Sequence, residues 1–307
     1  MKRIERVLIY GGGLMGKGIA HIFSGDPKLD VTVYDIADNG FFEGLLATFQ
    51  ELVAAGRISR EEALSRARRV RFTTDFSCPA ITKADLVIEN VYENMALKQD
   101  TFALLETVCR ENAVFCTDTS VMSPTEIAAK LKYKERLVGT HFWNPAYLIP
   151  LVEVVKSRFT SDETAHTVLE FLTAAGKKAV LCKKDVPGFI ANRMQHALWR
   201  EALYIVEQGI ADAATVDEAV KASFGLRLGQ LGPLENADMI GLDLAWNAHD
   251  YLLEHLCDSH RPSPLLESLK AEGKLGFKTG EGLQSWTPER IAQAKRDLNA
   301  YLIRHLP

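Results

Sequence analysis

Three glycines near the start of the chain have the spacing of a phosphate-binding turn. Gly11, Gly13 and Gly16 form the pattern G-x-G-x-x-G, directly after a short apolar run and before a helical stretch. In that setting the first glycine permits a tight turn, the second lets the backbone approach a pyrophosphate, and the third lets the helix pack on the strand. The positive N-terminus of the helix attracts the phosphates. The sequence therefore predicts a dinucleotide site formed by these glycines together with Leu14 and Met15.

An acidic residue follows at the distance that a dinucleotide site requires. Asp35 lies nineteen residues beyond Gly16, at the end of a second apolar run. A carboxylate there accepts hydrogen bonds from ribose hydroxyls and repels a 2′-phosphate. Residues 36–39 contain no arginine that would neutralise such a phosphate. We therefore expect NAD rather than NADP as the cofactor.

A second set of residues is suited to proton transfer. His141 lies near the end of the apolar run LVGTHF, and Glu153 interrupts another apolar run, LVEVV. A buried ionised carboxylate costs several kcal/mol unless a partner meets it, so we expect His141 to be that partner across the intervening turn. Such a pair is a general base with a fixed tautomer and a stabilised protonated form. Taken alone, a histidine on an apolar strand is more often a core residue; the glutamate and the dinucleotide pattern favour the base.

The elements that must position these residues alternate between strands and helices. Residues 7–35 have the strand-turn-helix-strand order of one βαβ unit. Further strand-like runs, separated by helical segments, lie at residues 84–89, 113–116, 137–142 and 180–182. This alternation predicts an α/β fold with a mostly parallel sheet, and hence a Rossmann-type dinucleotide-binding domain.

A helical hairpin is expected to interrupt this alternation. Residues 41–55 have a helical pattern, and Ser59 with Glu62 forms a capping box that opens a second helix. The two helices predict an insertion at about residues 41–70. Ser123, which precedes a proline and stands three residues before a glutamate, predicts a further helix start.

The pattern changes near Lys184. Beyond it the chain is almost entirely helical, with segments predicted at residues 187–208, 215–224, 241–256, 264–271 and 288–305, the second opening at Thr215. We therefore predict two domains, an NAD-binding Rossmann domain at residues 1–184 and an all-helical C-terminal domain at residues 185–307.

Composition and charge exclude several classes of protein. The 307 residues carry 36 Lys and Arg against 40 Asp and Glu, a net charge of -4, so nucleic acid is not expected as a partner. No stretch of about 20 apolar residues occurs, and we expect no membrane association. The five cysteines contain no CxxC pair, which predicts reduced thiols in a cytoplasmic protein without a metal site.

With these motifs in order, the sequence resembles the L-3-hydroxyacyl-CoA dehydrogenases over essentially its whole length. The resemblance implies an NAD-dependent dehydrogenase of fatty acid metabolism, which oxidises a secondary 3-hydroxyl to a ketone reversibly and forms a homodimer through its helical domain. Besides the glycine loop and Asp35, it rests on ADLVIENVYENMALK at residues 84–98, TDTSVMSPTEIA at 117–128, HFWNP at 141–145, LVEV at 151–154, KKDVPGFIANR at 183–193, GPLENADMIGLD at 232–243 and FKTGEG at 277–282.

The resemblance also assigns roles to individual residues. It implies that His141 is the catalytic base and Glu153 its partner. Ser120 and Asn192 match polar residues that hold the substrate oxygens, and Asn144 matches a residue that helps to place nicotinamide and substrate. The positions implied on the nicotinamide-ribose side of the cofactor are Glu93, Lys98, Ser120 and Asn144.

These polar residues also have simpler interpretations, which the sequence leaves open. Ser120 and Asn144 are also typical of turns, and Asn192 is compatible with the exposed face of a helix. Glu93 and Lys98 are compatible with a solvated junction between a strand and a helix.

The sequence departs from the acyl-CoA enzymes where those contact the CoA phosphates. In them the helix after the second strand typically carries lysines, whereas residues 36–56 here contain no Lys or Arg. Six arginines follow between Arg57 and Arg71, and two interpretations stay open for them: phosphate contacts or a solvated helix face. Asp118 stands where the acyl-CoA enzymes often have asparagine.

These departures favour an alternative substrate within the same family. The chain also resembles members that oxidise a small free hydroxy-carboxylate or a carboxylated aromatic alcohol without CoA, and Asn236 and Arg227 are expected to line part of such a pocket. A different class, a non-enzymatic NAD-binding sensor or structural protein, would keep the glycine loop but would not need a base.

Overall fold

One sheet organises the first part of the chain. The computed structural model describes residues 3–306, with strands β1 Arg6–Tyr10, β2 Asp30–Tyr34, β3 Val70–Thr73, β4 Leu86–Glu89, β5 Val114–Thr117, β6 Leu137–Phe142, β7 Leu151–Val155 and β8 Lys178–Cys182. They form a single sheet in the order β3-β2-β1-β4-β5-β6-β7-β8. Neighbouring strands are parallel except β6 and β7, which are antiparallel. The predicted α/β fold with a Rossmann-type N-terminal domain is confirmed.

Helices alternate with most of the strands up to β8, and the named elements after β8 are all helices. Those before β8 are α1 Leu14–Phe23, α2 Phe41–Ala54, α3 Arg60–Arg69, α4 Pro79–Thr82, α5 Met95–Val108, α6 Pro124–Ile127 and α7 Asp162–Ala174. Those after β8 are α8 Ala191–Glu207, α9 Ala213–Ala222, α10 Phe224–Leu228, α11 Pro233–Ile240, α12 Leu242–Leu252, α13 Pro264–Ala271 and α14 Pro288–Arg304. Short 3₁₀ helices lie at Ala128–Lys130, Lys134–Arg136 and Leu253–His255.

The central strand β1 is buried on both faces. Val7 and Ile9 belong to one hydrophobic cluster with Phe23 of α1, whereas Leu8 belongs to another with Phe102 of α5. Successive side chains of a strand point to opposite faces of the sheet, so helices cover both faces here. This double burial explains why the strands are continuous apolar runs in the sequence.

The predicted hairpin helices are present as α2 and α3, which pack against each other. The hydroxyl of Ser59 accepts a hydrogen bond from the backbone N of Glu62 at 3.0 Å, as its capping pattern predicts. Ser123 likewise accepts a hydrogen bond from Glu126 N at 3.2 Å. Helix α6, which Ser123 caps, spans only four residues before a 3₁₀ turn continues it.

The start of α8 differs from the prediction. The helix begins at Ala191 and not at Pro187. Gly188 and Phe189 have φ angles of 76° and 50°, which lie in the left-handed region and cannot continue a right-handed helix. The four residues from 187 therefore form a turn.

The start of α9 also differs. It begins at Ala213, two residues before the predicted opening at Thr215. The carboxylate of Asp212 accepts a hydrogen bond from Thr215 N at 2.8 Å, so the aspartate is the cap. Aspartate is preferred over threonine at the N-cap of a helix. Thr215 was predicted instead because it is also a residue type that caps helices.

The described contacts divide the chain into two units. Residues up to Ala191 form the first unit together with residues from Asp297 onward, and Asn192–Arg296 form the second. Within the first unit Ile303 is buried with Leu52 and Leu148. The domain limits 1–184 and 185–307 stay a prediction.

Candidate active site

The loop between β1 and α1 leaves room above the helix N-terminus. Gly11 has a φ of 110°, and a Cβ there would lie 2.7 Å from the carbonyl oxygen of Asn90. A Cβ at Gly16 would collide with the carbonyl oxygen of Gly11. At Gly13, the N-cap of α1, an added Cβ would meet no described atom within 4 Å. A tight turn, close helix packing and open space at a helix N-terminus fit the pyrophosphate of NAD.

Asp35 follows β2 and faces this loop. Its Oδ2 accepts a hydrogen bond from Gly12 N at 2.7 Å, which fixes the carboxylate beside the glycines. The carboxylate is partly exposed, and the next side chain, Ile36, is 83% exposed. The residue is therefore suited to hold ribose hydroxyls at the open side of the loop.

His141 and Glu153 face each other across the antiparallel strands. They are register partners in β6 and β7, and the imidazole Nδ1 lies 2.8 Å from Glu153 Oε2. Both side chains are buried, with 5% and 0% exposure. The rings of Trp143 and Phe189 flank the imidazole at centroid distances of 5.4 and 5.7 Å. The expected contact between the two residues is present.

Backbone groups complete the surroundings of Glu153. Its Oε1 accepts hydrogen bonds from Ile190 N at 2.9 Å and Ala191 N at 3.0 Å. Burial alone would raise the pKa of Glu153, but the hydrogen bonds from His141 and the two amides outweigh it and lower the pKa. Glu153 is therefore an ionised carboxylate that orients the ring through Nδ1, because a neutral imidazole with its proton there donates to Oε2.

A second carboxyl group lies beside strand β6. Asp118 Oδ1 accepts a hydrogen bond from Phe142 N at 2.8 Å. Burial raises the pKa of Asp118 well above its ordinary value; this hydrogen bond opposes the rise, and the nearby charge of Glu89 adds to it. The shift favours the neutral acid, which both donates and accepts hydrogen bonds as an asparagine side chain does.

The chemically important residues collect at one edge of the sheet. Strands β1, β4 and β5 end in register at Tyr10, Glu89 and Thr117. Ser120 is exposed three residues beyond β5, and Asn144 is exposed two residues beyond β6. Ligands of open α/β sheets bind at the carboxyl ends of parallel strands, which is the edge where these residues and the glycine loop lie.

Glu93 and Ser120, both expected beside the cofactor, are in contact. Glu93 Oε1 accepts hydrogen bonds from Ser120 N at 3.2 Å and from the hydroxyl of Thr119. Its Oε2 lies 3.3 Å from Lys98 Nζ. The two loops that follow β4 and β5 are therefore joined through one carboxylate.

Lys98 is buried, with 1% exposure, and pairs with Glu89 Oε1 at 2.8 Å. Glu89 also accepts hydrogen bonds from Thr117 Oγ1 at 2.7 Å and Val91 N at 2.8 Å. The interpretation of Lys98 as part of a solvated junction is therefore wrong. Glu89 was not among the residues predicted from the sequence, although an acid that ends the apolar run LVI is the same kind of signal as Glu153 within LVEVV.

Asn192 begins the second unit, and its role beside His141 stays a prediction. Among residues 3–306, no group of three or more His, Cys, Asp or Glu side chains could hold a metal ion. None of the helices in that range has the length and apolar character that crossing a bilayer requires.

Models of one protein family match most of the chain. The 3-hydroxyacyl-CoA dehydrogenase NAD-binding domain matches residues 6–186, and the C-terminal domain of the same family matches residues 188–286. The chain is 33% identical over 307 residues to the 5-formyl-3-hydroxy-2-methylpyridine 4-carboxylate 5-dehydrogenase of Mesorhizobium japonicum, covering 99% of this chain and 98% of that protein. It is 34% identical to the probable 3-hydroxybutyryl-CoA dehydrogenase of Bacillus subtilis, covering 92% of this chain and 98% of that protein.

Solved structures agree with these matches. A crystal structure of the pyridine-carboxylate dehydrogenase, described as an NAD⁺-dependent dismutase, superimposes with a TM-score of 0.89 at 32% identity and covers 98% of this chain and 97% of that one. The 3-hydroxybutyryl-CoA dehydrogenase of Ralstonia eutropha gives a TM-score of 0.76 at 30% identity, with 93% and 100% covered. The chain belongs to the 3-hydroxyacyl-CoA dehydrogenase family of NAD-dependent oxidoreductases that act on CH–OH groups.

Proposed function

We propose that this dehydrogenase oxidises the hydroxyl group of a compact carboxylate-bearing substrate that is not attached to CoA. The observation that carries the chemistry is the buried contact between His141 and Glu153, at the sheet edge that also carries the glycine loop. The substrate class rests on the sequence of α2, which contains no Lys or Arg to meet CoA phosphates. Among the contacts of Gly44 in α2, the one cation that lies against the helix is Lys17 of α1.

In the proposed reaction His141 is the general base. Bound NAD supplies the hydride acceptor. As the C–H bond gives up its electron pair as hydride, the substrate hydroxyl gives its proton to Nε2 of His141 and the C–O bond becomes a carbonyl. The ionised Glu153 stabilises the resulting imidazolium through Nδ1. In the reverse direction the imidazolium returns the proton to the carbonyl oxygen.

The remaining polar residues are proposed to bind and orient. Ser120, Asn144 and Asn192 would hold substrate oxygens near His141 Nε2. Glu93 would fix the Ser120 loop, since it already accepts the Ser120 N–H. On the cofactor side we propose contacts from the loop and its neighbours: Gly11, Gly13, Leu14, Met15, Gly16, Asp35, Glu93, Ser120 and Asn144. The buried Lys98 would act on the cofactor side through its ion pair with Glu93.

The charges near α2 support a substrate without CoA. Glu51, the last acid of α2, is occupied inside the molecule, because Tyr147 Oη donates to its Oε2 at 3.0 Å and Asn299 Nδ2 donates to its Oε1 at 2.8 Å. Arg66 pairs with Glu62 within α3. Arg71 lies 3.8 Å from Asp30 Oδ1. Arg66 and Arg71 thus already have acidic partners, and fewer of the six arginines between Arg57 and Arg71 are left for a multiply charged ligand.

CoA esters remain the second candidate, since family members named for them are 33–34% identical to this chain. An NADH-linked screen separates the two candidates. Purified enzyme is assayed with acetoacetyl-CoA and 3-hydroxybutyryl-CoA beside free 3-hydroxy acids and hydroxymethyl-substituted aromatic carboxylates. We expect higher kcat/KM for a free carboxylate; a strong preference for acetoacetyl-CoA over every free acid would overturn the substrate proposal. Failure of both sets to turn over would favour the NAD-binding sensor.

We also propose that the protein is a cytoplasmic homodimer joined through its helical unit. Helices α8 to α13 contain no buried residue in the described chain, and they expose large apolar side chains. Leu242 and Trp246 of α12 are each 63% exposed, and Met239 of α11 is 64% exposed. Apolar exposure on consecutive helices supports a subunit interface.

A further inference from the structure

A basic groove lies within the first unit, away from the glycine loop. It has a volume of about 730 Å³ and is lined by segments that precede β6 and follow β7 and β8. Because β7 runs antiparallel to β6, Lys156 just beyond β7 lies at the sheet edge opposite His141. The three residues from Glu153 to Lys156 span about 10 Å of extended strand. The groove is therefore separate from the proposed active site.

The lining of this groove is strongly positive in a protein whose net charge is -4. Its cations are Lys134, Lys156, Arg158, Lys183 and Lys184, and its acids are Glu126 and Asp185, which leaves an excess of three positive charges. Of these five, only Lys156 has a carboxylate partner within the described residues, Asp162, at 2.5 Å. Concentrating like charges in a concave site is unfavourable unless an anion binds there.

Two of the cations contact the same aromatic ring. Lys134 Nζ lies 5.1 Å from the ring centroid of Phe159, and the guanidinium carbon of Arg158 lies 4.7 Å from it. Their charges are therefore less than about 10 Å apart by the sum of these distances. Two cations within this distance can both contact one ligand that carries linked phosphates.

Hydrogen bonds fix the wall between these cations and the two lysines after β8. Thr125 N donates to Asp185 Oδ2 at 2.8 Å, and the hydroxyl of Ser123 donates to the same carboxylate. Arg158 N donates to Thr125 Oγ1 at 3.1 Å. These bonds hold the Asp185 carboxylate in a fixed position in the wall, where its charge offsets one of the neighbouring cations.

We infer that this groove is a second ligand site that binds a small molecule carrying two or more linked phosphates. Lysine and arginine side chains are the groups that proteins use for phosphates. The volume is that of a small-molecule site. The cations are too few and too local for the extended phosphate contacts of a nucleic acid.

The inference is tested by titrating pyrophosphate into the full-length enzyme at low ionic strength, with heat as the readout. NADH is left out because it carries linked phosphates itself and would compete for the groove. Any binding at the glycine loop is identified by its loss in Gly13→Asp, which leaves the groove unchanged. We expect one pyrophosphate per chain, and binding at least tenfold weaker in the Arg158→Gln/Lys183→Gln variant, because both side chains are exposed and their loss spares the fold. Lys28→Gln, at the far side of the sheet, is the matched control and should bind as the wild type does.

Three results would overturn the inference. They are the absence of pyrophosphate binding in the wild type, equal affinity in the double variant, and equal affinity for malonate, which carries two carboxylates at similar spacing. In the first of these cases, binding of a DNA duplex in place of pyrophosphate would indicate a macromolecular partner. Thermal unfolding of the same samples provides an independent readout, since a ligand of the folded state raises Tm.

Discussion

At the scale of single residues, His141 and Glu153 show how far side-chain chemistry can be inferred from a sequence. An acid inside LVEVV requires a partner, and the nearest histidine along the chain is its partner in space. The partners of Glu89 could not be inferred in that way. Lys98 reaches it from within a helix and Thr117 from a neighbouring strand, so their contact depends on packing that no local pattern encodes.

The role of His141 is tested by His141→Gln. The variant retains a hydrogen-bonding side chain but has no base, so kcat should fall by roughly 10²- to 10⁴-fold. NADH binding, followed by fluorescence titration, should change little, because the glycine loop and Asp35 are untouched. Turnover close to that of the wild type would remove His141 from the mechanism.

The ionised state of Glu153 is tested by the pH dependence of the free energy of unfolding. Its pKa is lowered in the folded protein, so the stabilisation that it provides is complete above its unfolded pKa of about 4.3 and is lost as the pH falls through the lower folded value. Glu153→Gln should lower the free energy of unfolding at pH 7 by about 1–3 kcal/mol. The difference from wild type, measured by urea unfolding, should shrink between pH 5 and pH 3. A difference that stays constant would contradict this account.

At the scale of elements, strands were easier to predict than helix boundaries. A strand buried on both faces is a continuous apolar run, and β1, β4 and β6 carry that signal plainly. The true start of α8 depends on two left-handed residues, and Phe189 gives no hint of such a conformation. The turn that contains Phe189 places the backbone N–H groups of Ile190 and Ala191 within hydrogen-bond distance of Glu153.

One carboxylate joins three elements at the opposite edge of the sheet. Asp85, immediately before β4, accepts hydrogen bonds from Arg6 Nε of β1 at 3.0 Å and from Arg110 Nη1, two residues beyond α5, at 2.7 Å. Asp85→Asn should cost about 2 kcal/mol in unfolding free energy, because it weakens two charge-assisted hydrogen bonds. Asp100→Asn, which weakens the exposed pair with Lys130, is the control and should cost less than about 1 kcal/mol. Equal losses would show that burial of Asp85 is unimportant.

At the scale of the whole molecule, the composition and length indicate a folded two-part protein but do not identify its surfaces. The apolar side chains of α11 and α12 have ordinary helical spacing and would be read as core residues from the sequence. Their exposure in a single chain is visible only in the structure. The proposed homodimer explains that exposure.

The dimer is tested by Trp246→Asp. A charged side chain at an apolar interface is left without a partner, so the variant should elute as a monomer in size-exclusion chromatography with light scattering. Gln208→Asp adds the same charge at an exposed polar position and should remain dimeric. A monomeric wild-type protein would refute the proposal directly.

The return of residues 297–306 to the first unit also has a consequence for synthesis. Ile303 packs on Leu52 and Leu148, and Asn299 reaches Glu51, yet about a hundred residues separate these late residues from the rest of their unit. At about 5–20 residues per second, a ribosome needs roughly 5–20 s to bridge that interval. During this time Leu52 and Leu148 of the nascent first unit are not yet covered by Ile303. A chaperone would be most useful to the nascent chain in this interval.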